Sequence, residues 1–383
     1  MSLPAVHPTS GVEASIHQLR PFTFRFSKAM NWDRFVSLPP YQAGMAFVRG
    51  EVEVEGDFIS AIDHWDTASQ CRRRPGPAQT FVDRWRNRVL IFLMQHLPAG
   101  RNIRFHYDRS NEFYQTFLDS RMVYSCAYFS EPGLSLEAAQ LAKLDHICTK
   151  LRLSPGDAFL DIGCGWGALV RRAAGQYGAA STGYTLSDAQ FQYATGRQRR
   201  WPLPDVSYFP KDFASIRGRF GKAASVGMFE HVGRHRARAY FRAIHEHLEP
   251  DGLFLNHSIT RRAGTGLSAG DVFLQRHVFP GYELLHVGEM ISAAEETGFE
   301  VLDVENLRPH YALTCRAWTQ RLRDNSTRCT ELVGPETYRI WLLYLAGASL
   351  SFRNHQIDLQ QVLLRKRGPG HTRAMTRSYM YRR

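Results

Sequence analysis

The sequence predicts an α/β fold: a doubly wound sheet with cap insertions, preceded by a small α+β unit. Three observations carry this. Beyond a stretch near residues 99–105, short apolar runs alternate with amphipathic helical segments in the manner of a doubly wound sheet. Among them FLDIGCGWGALV, residues 159–170, passes from an apolar strand through glycines into the start of a helix. Ahead of them, residues 22–97 mix strand-like and helical patterns without that regular alternation.

Residues 1 to about 22 lack clear periodicity. AFVRGEVEVEGDF, residues 46–58, alternates like a strand. QTFVDRWRNRVLIFLMQHLPAG, residues 79–100, places Phe81, Trp85, Val89 and Phe92 on one helical face before Pro98 and Gly100 end it. CRRRPGP, residues 71–77, reads as a loop between them. The expected organisation is a small α+β domain over 1–98, a linker over 99–118 and the main domain over 119–383. Within the main domain, strands are expected near 158–162, 180–185, 205–209, 222–227, 252–258, 299–306 and 358–365. Residues 260–285 and 308–352 read as additions that cap the ligand edge of the sheet. The uncharged run from Ile340 to Phe352 reads as a buried helix, since a membrane crossing needs ~18 to 20 apolar residues.

With 383 residues, 44% of them hydrophobic and 22% charged, the chain has the composition of a globular protein with a large core. No export leader is evident, and the six cysteines (Cys71, Cys126, Cys148, Cys164, Cys315, Cys329) form no C-x-x-C pair. A reducing cytoplasm is therefore the expected compartment. The formal charge of +12 favours an anionic partner, either nucleic acid or an anionic membrane surface. Seven Lys or Arg and no acid lie between Arg365 and Arg383, interleaved with Met375, Tyr379, Met380 and Tyr381. That mixture suits lipid headgroups, and a solvated tail would look the same.

The glycine turn fits two cofactors. Gly163, Gly165 and Ala168 match dinucleotide spacing, while Asp161, Gly163, Gly165 and Gly167 match the spacing used for S-adenosylmethionine. A nicotinamide site wants an acid about 20 residues after the first glycine. Counting from Gly163 leads to Gly183, where no acid stands. The first strand instead ends in Asp161, and Gln190 of TLSDAQ can reach a ribose from the next helix. This favours S-adenosylmethionine, with Asp161 accepting from its ammonium or from loop amides. Cys164 reads as a small buried filler.

Glu230, in VGMFEHVGRHRARAYF, follows the fourth strand at the carboxyl edge where open sheets meet their ligands. His257, in LFLNHSIT, ends the fifth strand at the same edge. The two could form a proton-handling pair or a purely structural one. The histidines near Glu230 lack the H-E-x-x-H order and His245 and His247 face different sides of a helix, so no metal site is expected. Cys126 and Tyr311 on their own read as packing.

Together, HYDRSNEFYQTFLDSRMVYSCAYF, FLDIGCGWGALV, GYTLSDAQ, SVGMFEHVGR, NHSI, FPGYELL and LRPHYALT resemble, in order, the cyclopropane fatty acid synthase family, which includes the mycolic acid cyclopropane synthases. The likeness runs from about Ala43 to Lys366. It implies a Rossmann-like class I methyltransferase that uses S-adenosylmethionine, and a bicarbonate ion as base at Cys126, Glu230, His257, Ile259 and Tyr311. Cofactor positions carry over to Tyr124, Ser125, Gly163, Gly165, Leu186, Gln190 and Phe213. Two positions depart: Gly221 stands where the family usually has Asp, and YELLH lacks a common proline. Both imply altered packing or substrate preference.

The implied reaction joins the sulfonium methyl to the cis double bond of an unsaturated phospholipid acyl chain, then closes a cyclopropane ring as the base takes a proton. Related outcomes are a methyl or methylene branch, or amine methylation, which the five retained base positions disfavour. A non-catalytic lipid-binding protein would not need the cofactor turn. The implied partners are unsaturated acyl chains and the inner face of an anionic membrane, touched peripherally by a cytoplasmic enzyme. Nucleic acid is not among them, and a homodimer is compatible.

Overall fold

The computed structural model describes residues 21–72, 110–266, 268–368 and 375–381. The small unit pairs β1 (Phe22–Phe26) antiparallel with β2 (Val52–Gly56). Helices α1 (Trp32–Ser37), α2 (Pro40–Val48) and α3 (Phe58–Arg72) accompany this pair. Residues 46–48, expected in a strand, instead finish α2. Pro40 sits at the helix start, where its missing N–H costs nothing, and Ala43, Ala46 and Phe47 bury one helical face. Gly50, with φ of 76°, then turns the chain into β2. Cys71 and Arg72 likewise belong to α3 and not to the expected loop; the helix of Phe81, Trp85, Val89 and Phe92 lies outside the described residues.

The larger unit runs α4 (Asn111–Gln115), α5 (Leu136–Lys150), β3 (Ala158–Ile162), α6 (Ala168–Tyr177), β4 (Ala180–Tyr184), α7 (Asp188–Arg200), β5 (Val206–Phe209), β6 (Phe220–Val226), α8 (Ala237–His247) and β7 (Leu248–Arg261). It continues through α9 (Ala269–His277), α10 (Val287–Glu295), β8 (Phe299–Asn306), α11 (Arg308–Asp324), α12 (Ser326–Val333), α13 (Pro335–Arg353) and β9 (Ile357–Lys366). The seven-stranded sheet has the order β5-β4-β3-β6-β7-β9-β8. Strands β3 to β7 pair in parallel, and β9 enters antiparallel between β7 and β8. Helices on both faces make β3 read as a continuous apolar run, with Phe159, Leu160 and Ile162 buried. The strand order reverses between β3 and β6, so their carboxyl ends open a crevice.

The helices of the second insertion, α11 to α13, belong to a further core. Trp341, Leu342, Leu345 and Phe352 of α13 are buried against Trp318 and Leu322 of α11, and this cluster takes in Phe47, Phe58 and Ile59 of the small unit. Residues 110–118, expected in the linker, enter the same cluster: Phe113, Tyr114 and Phe117 are 0% exposed. Their aromatic rings find Trp166 and Trp341, a burial that outweighs any freedom of the connector. Among the described residues no helix is long and apolar enough to cross a membrane.

The described part of the basic tail is docked. Met380 is buried with Leu253 and Leu302, Arg152 stacks over Tyr379 at 4.2 Å, and Arg377 pairs with Asp303 at 2.5 Å. Arg365 binds Glu300 at 2.7 Å, and Lys366 donates to the His245 and Leu248 carbonyls. Among the described residues, Arg365, Lys366 and Arg377 therefore serve the fold. Gly221 lies at the amino end of the central strand β6, where a Cβ would meet Glu249 at 3.6 Å; an aspartate would add a like charge there.

Candidate active site

The glycine turn forms the floor of a cleft at the crevice. Gly163, Gly165 and Gly167 have φ values of 79°, 54° and 84°, which side chains other than glycine rarely adopt. A Cβ on Gly167 would strike the Tyr208 hydroxyl at 2.7 Å, whereas one on Gly165 would meet nothing within 4 Å and would project into open space. Around this floor the cleft is lined by Tyr124, Ser125, Asp161, Leu186, Gln190 and Phe213. All the cofactor positions expected from sequence thus converge on one cavity. Gln190 is braced by the Thr185 hydroxyl at 2.8 Å, and Ser187 caps α7 through the Gln190 N–H. Cys164 is a packing residue: its Sγ fills the space that a Cβ at Gly183 would need. Burial pushes the Asp161 carboxyl up to about 7, and Lys143 opposes the rise.

The expected base positions come from four segments: the loop before α5 (Cys126), the turn after β6 (Glu230), β7 (His257 and Ile259) and α11 (Tyr311). Glu230 follows β6, and its Oε1 accepts from the Ile259 N–H of β7 at 2.7 Å. Upstream on β7, the His257 carbonyl accepts from the Gly227 N–H at 2.8 Å, and its Nδ1 lies 3.0 Å from Gln361 Nε2 of β9. Glu230 and His257 therefore do not form the direct acid–imidazole pair that sequence allowed. Glu230 Oε2 and His257 Nε2 are instead both buried with no hydrogen-bond partner. Such orphaned atoms carry a desolvation cost and mark a place for a polar ligand.

Tyr311, in the first turn of α11, stacks on Phe352 with centroids 4.5 Å apart. Burial, with Cys315, Tyr344, Cys126 and Glu230 nearby, keeps its hydroxyl protonated far above the usual tyrosine range. Cys126 is fully buried beside the Leu307 carbonyl, and burial raises its thiol likewise. Burial pushes Glu230 up to about 7, while the Ile259 N–H opposes this. Burial drives His257 well below its ordinary value, with Lys143, Lys150 and His146 adding to the effect. Glu230, His257, Tyr311 and Cys126 thus all lean toward their neutral forms, and the two orphaned atoms suit a small group that both donates and accepts. Among the described residues no cluster suits a metal ion.

Residues not picked out from sequence also matter here. Lys143, only 2% exposed, lines the cleft, and Gln361 fixes His257. Lys150 is fully buried with Asp303 and Glu305, and His146 reaches Glu305 at 2.7 Å. Leu136, Gln140, Lys143, Ile147 and Lys150 recur every three to four residues along α5, all buried. That stripe was the available signal: polar residues sharing a face with leucine and isoleucine.

The family described as mycolic acid cyclopropane synthetase matches residues 94–362. The "Probable fatty acid methyltransferase" of Pseudomonas putida is 40% identical over 350 residues, covering 89% of this chain and 86% of that protein. Cyclopropane mycolic acid synthase MmaA2 of Mycobacterium tuberculosis is 33% identical over 293 residues, or 70% of this chain and 98% of that one. The structure of mycolic acid cyclopropane synthase CmaA1 complexed with SAH and CTAB superposes with a TM-score of 0.68 at 33% identity, covering 70% of this chain and 99% of that one. Coclaurine N-methyltransferase, at 20% identity and a TM-score of 0.60, shares the fold over 93% of this chain. With the glycine cradle and the converging cleft residues, these likenesses establish the chain as an S-adenosylmethionine-dependent methyltransferase belonging to the mycolic acid cyclopropane synthetase family.

Proposed function

We propose that the protein acts on the cis double bond of unsaturated acyl chains in membrane phospholipids, adding one carbon from S-adenosylmethionine and closing a cyclopropane ring. The observation that carries this reading is the pair of orphaned buried atoms, Glu230 Oε2 and His257 Nε2, beside the glycine-floored cleft. A bicarbonate ion fits them, because it can donate to a carboxylate and accept from an imidazole N–H. When bound, S-adenosylmethionine supplies the electrophilic methyl and bicarbonate supplies a proton acceptor.

The chain's own residues do the rest. Gly163 and Gly165 let the backbone approach the cofactor, and Asp161 faces its ammonium. Gln361 orients His257, and the Ile259 N–H holds one Glu230 oxygen and leaves the other buried without a protein partner. Tyr124 and Tyr311 contribute aromatic walls that exclude water and can stabilise a developing cation. The basic surplus supports peripheral docking at the cytoplasmic face of an anionic membrane.

The relative named a fatty acid methyltransferase favours a second product, a methyl branch. Mass spectrometry of host lipids with and without expression separates the two. A gain of one methylene with loss of the alkene is the expected result, and a further gain of two hydrogens marks the branch. Unchanged phospholipid acyl chains, with the new product confined to free fatty acids, would overturn the phospholipid assignment.

A further inference from the structure

One turn of α5 holds the loop that joins the two halves of the site. Lys143 Nζ donates to Ser125 Oγ at 2.8 Å, and Gln140 Nε2 donates to the Ser125 carbonyl at 2.9 Å. Ser125 lines the cofactor cleft, and its neighbour Cys126 belongs to the base cluster. A shift of this loop would move both at once.

The lysine is costly where it stands. An ammonium 2% exposed, whose hydrogen bond goes to a hydroxyl and not to a carboxylate, is retained against a substantial desolvation penalty. The groups facing it are Asp119 from the loop after α4, Cys126 from the pinned loop, Asp161 from β3, Cys148 from its own helix and His257 from β7. Asp119 is already committed to the Val123 and Arg121 N–H groups, at 2.8 and 3.2 Å. Asp161 is the acid among these that lines the cleft.

We infer that Lys143 is a positioning residue for the transfer reaction: it pins Ser125 and supplies the positive charge that keeps Asp161 ionised to receive the cofactor's ammonium. The inference rests on the cleft holding S-adenosylmethionine. Burial pushes Lys143 down to about 8, so it carries its charge at neutral pH, where Asp161 needs support. Asp161 also faces Cys164, Tyr208 and Cys148, none of which supplies positive charge.

The test is calorimetry of S-adenosylhomocysteine binding to the full chain between pH 6 and 9, alongside turnover. Lys143→Met should weaken binding about 10- to 100-fold at pH 7 and recover part of it toward pH 9, as Asp161 ionises late. Lys143→Gln keeps a donor for Ser125 without the charge, so it should show the same displaced pH profile with a smaller loss of turnover. Ser125→Ala retains the lysine and reads the pin alone: affinity should fall about threefold to tenfold with an unmoved pH profile. Folded Lys143 variants with the wild-type pH profile would overturn the charge role, and wild-type affinity and turnover in Ser125→Ala would overturn the pin. Should the lysine variants not fold, Asp161→Asn in the wild type must flatten the pH profile, and an unaltered profile overturns the charge role equally. Absence of S-adenosylhomocysteine binding to the wild type at every pH would instead remove the cofactor reading itself.

Discussion

Glu230 Oε1 accepts a hydrogen bond from the Ile259 backbone N–H at 2.7 Å, tying the turn after β6 to the end of β7. This leaves the second carboxyl oxygen buried, unpaired and near Tyr311. Glu230→Gln keeps the size and the Ile259 contact while removing the charge. Loss of a positioned base typically lowers rate by ~10² to 10⁴, so turnover should fall by that range with cofactor affinity nearly unchanged. Depleting bicarbonate from the wild-type assay should reproduce part of the loss, and full activity of the variant without bicarbonate would show the cluster to be structural.

The same substitution should change how stability depends on pH. Burial holds the folded Glu230 carboxyl at about 7, above its ordinary 4.5. Between these values the folded protein keeps a proton that the unfolded chain has released. The stability from this group is complete below the lower value and is lost as pH rises through the upper one. Relative to wild type, Glu230→Gln should gain on the order of 2 kcal/mol at pH 8 and little at pH 4. Denaturant unfolding at the two pH values measures this, and an equal difference at both would contradict it.

Gly165 faces open space in the cleft with φ of 54°. Gly165→Val would fill the region expected to receive the cofactor and strain the turn. Calorimetry should detect no binding of S-adenosylhomocysteine to a protein whose far-ultraviolet dichroism remains native. Retained affinity would place the cofactor elsewhere.

Gln361 fixes the imidazole of His257 from a neighbouring strand, at 3.0 Å. Gln361→Leu would leave Nδ1 unsatisfied and free the ring to take the wrong tautomer, and an unsatisfied buried group costs about 1 to 3 kcal/mol. Turnover should fall roughly 10- to 100-fold with cofactor affinity preserved. Nitrogen-15 spectra of the ring would report the tautomer, and an unchanged tautomer with full turnover would remove Gln361 from the site.

Membrane recruitment by the basic tail can be tested without damaging the sheet only if β9 is left whole. A chain ending at Leu364 would lose Arg365 and Lys366 and their contacts, so the informative truncation ends at Gly368. Co-sedimentation with anionic vesicles at low salt should weaken, by up to about 1 kcal/mol for each basic residue removed, and the difference should vanish at high salt. Equal binding by the shortened chain would assign membrane contact to the folded surface. A fall in melting temperature should accompany the truncation, because Met380 and the Arg377–Asp303 pair are lost.

Much of this architecture is written in local pattern. The apolar run before Asp161, the glycines after it and the alternation through residue 306 are consequences of strand and helix periods, which each segment carries by itself. Glu230 and His257 were legible for the same reason: a polar residue just past an apolar strand falls at the carboxyl edge wherever the sheet is parallel. The family motifs added Ile259, and also Cys126 and Tyr311, whose side chains alone read as packing.

Tertiary structure decided the partners. Gln361 reaches His257 across 104 residues of chain because β9 enters the sheet antiparallel beside β7, and strand insertion of that kind leaves no local trace. Lys143 and Lys150 share a helical face with Leu136 and Ile147, but what takes their charges out of water is the packing of β8 and the Ser125 loop against α5. The basic tail reads equally as a lipid-headgroup segment or a solvated tail, and only the structure shows Met380 buried with Leu253 and Leu302. Sequence period determines which face of an element is apolar, whereas burial of a charge depends on what packs over it, and that is set by contacts between segments far apart in the chain.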